Sequence, residues 1–333
     1  MTNHASAVYP ARADTASAIS RRRCVIAAIN PYAFRWNAAC LIFDCGTNVL
    51  ALTIMNTKSF LALVLAASAQ ASPVYLQPET VHAWEEYLGR ADARMQARLN
   101  SGKSFLWMDE APDRRSRVQR GEIVIEPVVG RGAQTVPNGL IHHWIGAVFI
   151  PNASLESLQN VVHDYDRYNK IYKPVVIEAH SVPNGTHSDE FSMTWQRHVL
   201  FVTAALRARY RVQDFDLDAH RGYSVADTTS VQEIENYGRP SEHLLPSNTG
   251  SGFIWRIHSI SRYEERDGGV YLEVEAIALT REIPGSLRWL IAPVVNHLSI
   301  NSMSATLSQT RQAVGEHIVT LASRRKSGGK DRN

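Results

Sequence analysis

The stretch Val270-Tyr-Leu-Glu-Val-Glu-Ala-Ile-Ala-Leu-Thr-Arg-Glu-Ile-Pro-Gly-Ser-Leu-Arg-Trp-Leu290 decides the fold. Its first half alternates between apolar side chains and the carboxylates of Glu273 and Glu275, which is typical of a strand with one dry and one wet face. Ile283-Pro-Gly285 then ends the alternation, and apolar residues recur at helical spacing over 286–322. We therefore predict a long strand followed directly by a long C-terminal helix.

Several more strands are predicted before this stretch, separated by turn residues such as Asp267-Gly-Gly269. They lie near 140–150, 175–182, 189–201, 204–216, 222–236 and 252–265, with the last one at 270–282. A helix begins after Ser154, and an extension before the sheet contains a helix over 78–99 and a short strand over 121–129. A sheet this long must curl, and a long helix can close its concave side. The predicted fold class is α+β, a curved antiparallel sheet gripping a long C-terminal helix (helix-grip), with an N-terminal helical extension.

Three local expectations complete this prediction. Residues 109–121 are charged and should form a loop. Pro293 should kink or divide the terminal helix, because proline removes a backbone donor. The chain from Ser323 to 333 is rich in Lys, Arg and Gly, and we expect it to be disordered.

Three stretches carry a resemblance to a known family. They are Val161-Val-His-Asp-Tyr-Asp-Arg-Tyr-Asn-Lys-Ile-Tyr-Lys-Pro-Val175, the strand pair Gly252-Phe-Ile-Trp-Arg256 with Val270-Tyr-Leu-Glu-Val-Glu275, and Arg281-Glu-Ile-Pro284 before the terminal helix. The segment 138–322 resembles the START-like superfamily, also called SRPBCC or helix-grip proteins, in its hydrophobic-ligand-binding branch. The resemblance implies a cavity that holds a lipid, quinone or polyketide-like molecule. The extension, 72–137, lies outside the part that shows the resemblance.

The segment 55–71 has the three parts of a signal peptide. Lys58 precedes an apolar run, Phe60 to Ala67, and Ala69-Gln-Ala71 is a small-x-small cleavage site. We therefore predict export to the periplasm or beyond, with Met55 as the initiator and 1–54 as a non-structural upstream segment. The alternative is that 55–71 is a buried helix.

Composition and charge exclude several classes of protein. Of 333 residues, 44% are hydrophobic and 20% charged, so an intrinsically disordered chain is excluded. Six of the 35 Lys and Arg and two of the 32 Asp and Glu precede residue 72, so the rest of the chain has a net charge of about −1, which removes the electrostatic case for nucleic acid. All three Cys also precede residue 72, which leaves no thiol nucleophile after the leader. We also expect no transmembrane span in the mature chain, because no apolar run is long enough.

Nine side chains are predicted to line a cavity between the sheet and the terminal helix. They are His143, Trp144, Trp195, Arg197, Tyr210, Trp255, Arg256, Leu290 and Val294. The tryptophans, including Trp289, could equally be core residues. Either arginine could bind a ligand carboxylate or phosphate, pair with Glu233 or Glu275, or face solvent.

The candidates for chemistry are weak. His142 and His143 are adjacent on a strand and point to opposite faces, so they cannot easily share a metal with His163 and Asp164. Asp164 and Asp166 face different ways as a possible acid–base pair. We therefore predict no catalytic residue, no metal and no cofactor.

Three functions stay open at this point: a carrier of a hydrophobic small molecule, a cyclase or hydrolase that uses the same cavity, and an interaction module with a filled core. The enzyme would need at least two ionisable side chains to converge in the cavity, and mutating His143, Arg197 and Arg256 should then abolish turnover. The polar face of the terminal helix is rich in Ser and Asn and not in Lys, which favours a buried lid over a membrane anchor and leaves only transient membrane contact.

Overall fold

The computed structural model describes residues 74–100, 102, 104–182, 189–199 and 202–328 of the chain. The proposed upstream segment 1–54, the proposed signal peptide 55–71 and residues 329–333 lie outside the described residues. Within the described chain, no helix combines the length and the apolar character that a membrane span requires.

Twelve strands and five α-helices lie within the described residues. The strands are β1 (Val74–Tyr75), β2 (Val124–Pro127), β3 (Ala133–Val136), β4 (Gly139–Pro151), β5 (Val176–Val182), β6 (Asp189–Val199), β7 (Val202–Asp218), β8 (Arg221–Glu235), β9 (His243–Leu244), β10 (Thr249–Gly250), β11 (Arg256–Arg266) and β12 (Gly269–Arg281). The helices are α1 (Pro78–Asn100), α2 (Pro112–Gln119), α3 (Leu155–Val162), α4 (Tyr168–Ile171) and α5 (Gly285–Gly328). Short 3₁₀ turns lie at Trp107–Glu110 and Tyr165–Arg167.

A single antiparallel sheet contains ten of these strands. Its main order is β2-β4-β12-β11-β8-β7-β6-β5, with β3 also paired to β4 and β9 to β8. Sequential strands pair through tight turns. One is the two-residue hairpin between β11 and β12, where Asp267 and Gly268 both adopt positive φ as its geometry requires. The predicted α+β helix-grip class is therefore confirmed.

The sheet curls around α5. Met303 of α5 packs at Gly146 of β4, and the neighbouring Ser302 accepts a hydrogen bond from Arg197 of β6. Five strand spacings of about 4.8 Å separate β4 from β6, which is about 24 Å in a flat sheet. One turn of a helix can contact both strands only because the sheet wraps around it.

The N-terminal extension covers the convex side of the sheet. Trp84, Tyr87, Ala91 and Met95 recur along α1 at helical spacing and are all buried against the sheet. The residues 105–118 continue this cover with Leu106, Met108 and Val118, each fully buried. Strands β2 and β3 of the extension pair with β4, so the extension forms part of the main sheet.

The three local expectations have different outcomes. Residues 112–119 form α2 and not a loop; Val118 is its one buried side chain, too weak a pattern to indicate a helix. Helix α5 continues through Pro293, so the proline does not divide it. The helix extends to Gly328, past Ser323, where the disordered tail is predicted to begin.

Candidate functional site

The two faces of the sheet have different covers. We call the face towards α5 the front face; it carries Trp144 and Val148 of β4 and Leu272 of β12, which pack with Met303 and other α5 residues. The back face carries the alternate residues and packs against the extension. A side chain's position in a strand therefore decides whether it can reach the space beneath α5.

Small side chains occupy the front face of the three central strands. We call this group the floor: Ser224, Ala226, Ser259, Ser261, Val274, Ala276 and Ala278. All seven are half-buried, although each strand has a neighbour on both sides. On β12 the back-face residues from Tyr271 to Leu279 are all buried. The front of the central strands is therefore covered less completely than the back, and its side chains are small.

Helix α5 is packed unevenly along its length. Met303, Leu307, Thr310 and Val314, around the middle of the helix, are buried, and Met303, Leu307 and Val314 pack with residues of β4 and α3. In the turns before them, over 291–302, no described side chain is fully buried. The turns over 291–302 therefore cover the front face less tightly than the middle turns do.

Stacked aromatic rings line the front face towards β6 and β7. The Phe191 ring lies 4.4 Å from that of Tyr165 and 4.7 Å from that of Tyr210, both nearly parallel. Burial raises the pKa of Tyr210, so its hydroxyl stays neutral at physiological pH. Trp195 is also buried, and it lies two positions along β6 from Met193, on the same face.

A histidine–aspartate pair lies beside this aromatic group. His163 Nε2 is 3.2 Å from Asp214 Oδ2, and this hydrogen bond raises the pKa of His163. Ser224 donates to Asp214, and Tyr165 donates to Asp189 at 3.4 Å. Ligand atoms of His163, Asp189 and Asp214 lie within 4.8 Å of one another. The hydrogen bond of the His163–Asp214 pair and those from the two hydroxyl donors explain why these side chains lie together, without a bound ion.

Arg197 links β6 to α5. Its Nη2 donates to Ser302 Oγ at 2.6 Å, and Ser302 in turn donates to Leu298 O at 2.7 Å. Burial lowers the pKa of Arg197, and within the described part of the chain no acidic side chain acts in the opposite direction. The guanidinium is thus a half-buried cation held by a neutral partner.

The structure brings together four of the nine predicted cavity residues. Trp144, Trp195, Arg197 and Tyr210 lie on the front face. Val294 lies on α5 and is half-buried, while the side chain of Leu290 is outside what the structure describes. Trp289, which the sequence also offered, is 75% exposed and lines nothing.

The other three predicted residues lie elsewhere. His143 alternates with Trp144 and is buried on the back face against Tyr87. Trp255 packs with Trp84 and Ile277 behind the sheet, where it lines a separate depression of about 360 Å³ beside β1 and α1. Arg256 donates to Trp255 O, and strand alternation places it on the face of His258. His143, Arg197 and Arg256 therefore do not lie at one site.

His143 belongs to what we call the back-face network, formed by Tyr87, His143, Glu275, Arg262 and Glu273. His143 contacts Tyr87 Oη through Nδ1 and Glu275 Oε1 through Nε2, both at 2.7 Å. Arg262 donates to Glu275 at 2.8 Å and to Glu273 at 3.1 Å. Glu273 also accepts the backbone N–H groups of residues 107 and 108 in the extension.

The network contradicts the expectation of a wet face on β12. Arg262 is 1% exposed and Glu273 is fully buried. Burial alone would raise the pKa of Glu275, but the His143 hydrogen bond and the Arg262 charge lower it to about 2. These groups are almost fully buried and hold the extension on the sheet.

Other polar candidates have local partners. Asp166 accepts from the backbone and side chain of Ser181, and Asp164 pairs with Arg167, so the two carboxylates do not act on one site. A polar depression of about 490 Å³ lies on the outer side of β5–β8 and is lined by residues including His180, Arg207 and Arg209. It is separate from the space beneath α5.

Comparison with known proteins gives similarity to solved structures alone. No protein-family model matches the chain, and no curated protein sequence matches it. The STAR-related lipid transfer protein from Xanthomonas axonopodis is 13% identical, with a TM-score of 0.35 over 57% of this chain and 98% of that one. Human STARD10 is 10% identical, with a TM-score of 0.37 over 60% and 80%.

An enzyme is also among the similar structures. The Zhui aromatase/cyclase from Streptomyces sp. R1128 is 12% identical, with a TM-score of 0.36 over 54% of this chain and 96% of that one. START-type proteins and an aromatase/cyclase are thus among the solved structures similar to this chain. At these TM-scores the similarity is one of general architecture, and the helix-grip class rests on the strand order and on α5 themselves.

Proposed function

We propose that this protein binds a hydrophobic small molecule between the floor and the N-terminal half of α5. The observation that carries the proposal is the floor itself, seven small and half-buried side chains in the middle of a ten-stranded sheet. A face in that position is normally filled by large side chains. Small side chains at these positions support a space for a ligand beneath α5.

The chemistry of the space favours an apolar ligand. The floor carries no charge, and the stacked rings of Phe191 and Tyr210 border it. Burial of about 200 Å² of apolar ligand surface would contribute about 5 kcal/mol before the costs of association. The few polar groups at the border would set the orientation of the ligand.

Filling the floor tests this proposal. In the double variant Ala276→Leu with Ser259→Leu, two larger side chains would occupy the space. We expect a neutral fluorescent probe, N-phenyl-1-naphthylamine, to bind the wild type at one site per chain. The double variant should lose at least about tenfold in affinity, since the added side chains take the place of the ligand.

The same variant separates this function from a filled core. If the space is open, the free energy of unfolding of the double variant should stay within about 1 kcal/mol of the wild type. If the core is solid, overpacking should cost about 1–3 kcal/mol at each position. Unchanged probe affinity together with a large loss of stability would refute the proposal and favour an interaction module.

We also propose that the protein acts after export. The ordered signal-peptide parts over 55–71 support this, as does the confinement of every Cys to the chain before residue 72. Cell fractionation followed by N-terminal sequencing tests it. Cleavage after Ala71 in an exported fraction is expected, whereas an uncleaved chain in the cytoplasm would contradict it.

A further inference from the structure

Arg197 is a charged group that has no charged partner among the described side chains. It is half-buried on the front face, and its hydrogen bond is to the neutral hydroxyl of Ser302. A buried or half-buried cation is costly to keep out of water unless an anion or several acceptors compensate it. Arg262, the fully buried arginine of the back-face network, shows the usual solution, because two carboxylates hold it.

The acidic side chains that could have compensated Arg197 are committed elsewhere. Glu275 is on the back face with Arg262 and His143. Glu233 accepts hydrogen bonds from the backbone N–H groups of Ser251 and Gly252, at 2.7 Å and 2.9 Å, and from Phe253 N–H at 3.3 Å. Neither carboxylate can turn to Arg197 without leaving its present donors unsatisfied.

A second donor on the same face of β6 has only a weak acceptor. Trp195 is two residues before Arg197 and is 7% exposed, and its Nε1 meets no partner at full hydrogen-bond geometry among the described residues; its weaker interaction with the Tyr210 hydroxyl lowers the pKa of Tyr210 against the larger effect of burial. The indole N–H and the guanidinium can only donate. Each of these two donors on one strand face thus has only a neutral hydroxyl as its described partner, which favours a stronger acceptor as the missing group.

We propose that Arg197, with Ser302 beside it, binds the anionic head group of an amphipathic ligand whose apolar part lies on the floor. The proposal rests on the proposed function and names its ligand class, a molecule with a carboxylate or phosphate at one end. A guanidinium can donate two parallel hydrogen bonds to either group. Trp195 supplies a further donor at the boundary between the head group and the apolar part.

Two probes that differ only in charge test the proposal. The first is 12-(9-anthroyloxy)stearic acid and the second is its methyl ester, each titrated into the full protein above pH 7 and followed by fluorescence. A charge-assisted hydrogen bond to a carboxylate predicts about tenfold to a hundredfold tighter binding of the acid in the wild type. Arg197→Met should remove this preference and leave the affinity for the ester unchanged.

Matched variants identify the source of any effect. Arg209→Met removes an exposed arginine from the outer side of β7 and should leave the preference for the acid intact. Ser302→Ala removes the hydroxyl that holds Arg197 and should reduce the preference by less than Arg197→Met does. Displacement by palmitate or by lysophosphatidic acid then shows whether a carboxylate or a phosphate fits better, and either result supports the proposal.

The failures are distinguishable. Equal affinity for the acid and the ester in the wild type, or equal losses in Arg197→Met and Arg209→Met, would overturn the anion site and leave the hydrophobic site in place. Absence of binding for both probes would overturn the proposed function itself. Circular dichroism of each variant confirms that it folds.

Discussion

Replacing Arg262 by Met should destabilise the protein strongly, because it leaves the buried carboxylates of Glu273 and Glu275 without their shared cation. Arg262 is 1% exposed, and its two ion pairs measure 3.1 Å and 2.8 Å. Breaking a buried ion pair from one side typically costs about 3–5 kcal/mol. We therefore expect a loss of this size in the free energy of unfolding in urea at pH 7.

The loss should depend on pH in a defined direction. The pKa of Glu275 is about 2 in the folded protein, against an ordinary value of 4.5. A lowered carboxyl pKa contributes stability that is present above the ordinary value and is lost as the pH falls towards the folded value. Here the contribution is about 3 kcal/mol, from 1.36 kcal/mol for each pKa unit. The difference between wild type and Arg262→Met should therefore shrink from pH 5 towards pH 2.

A compensated variant is the control. In Arg262→Met combined with Glu273→Gln and Glu275→Gln, no uncompensated charge remains, and most of the lost stability should return. A single Arg262→Met variant within about 1 kcal/mol of the wild type at pH 7, or a loss that grows as the pH falls, would refute the account of the back-face network.

Three further predictions concern other parts of the molecule. Gly146→Ala should cost about 1–3 kcal/mol in urea unfolding, because its Cβ would stand 2.8 Å from Met303 Sδ; an unchanged midpoint would contradict the tight packing of α5 on β4. Asp214→Asn should weaken the pH dependence of stability above pH 6.5. In the wild type, the raised pKa of His163 contributes stability that is fully present below pH 6.5 and is lost as the pH rises past the folded pKa. Equal pH dependence of thermal unfolding in the two proteins would contradict the His163–Asp214 pair. Glu233→Gln should cost about 1–2 kcal/mol and increase hydrogen exchange at residues 251–253, and unchanged exchange there would show that Glu233 does not hold that loop.

Long alternating stretches made the fold predictable from the sequence. The predicted strands 175–182 and 270–282 lie within one residue of β5 and β12, and the helix over 78–99 matches α1. Ser154 caps α3 as predicted, with Ser157 completing a capping box. These sequence signals are local, so they predict a strand or a helix without knowledge of the residues that pack against it.

Pairings between distant residues were not predictable. Strand alternation correctly put His142 and His143 on opposite faces, but it could not say which face α5 covers, so His143 was placed in the cavity. The carboxylates on β12 indicated a wet face because nothing in the local pattern reveals Arg262 opposite them or the extension above them. The contact of Ser302 with Arg197 has no local signal in the sequence, because it joins residues more than 100 positions apart.

Native mass spectrometry of the purified protein, followed by organic extraction, tests the central claim most directly. The account predicts a one-to-one complex with a hydrophobic molecule, either co-purified or taken up from a lipid extract, and its loss in the Ala276→Leu, Ser259→Leu variant. A folded wild-type protein that carries no adduct and takes none up from an excess of extract would contradict the claim that the floor beneath α5 is a binding site.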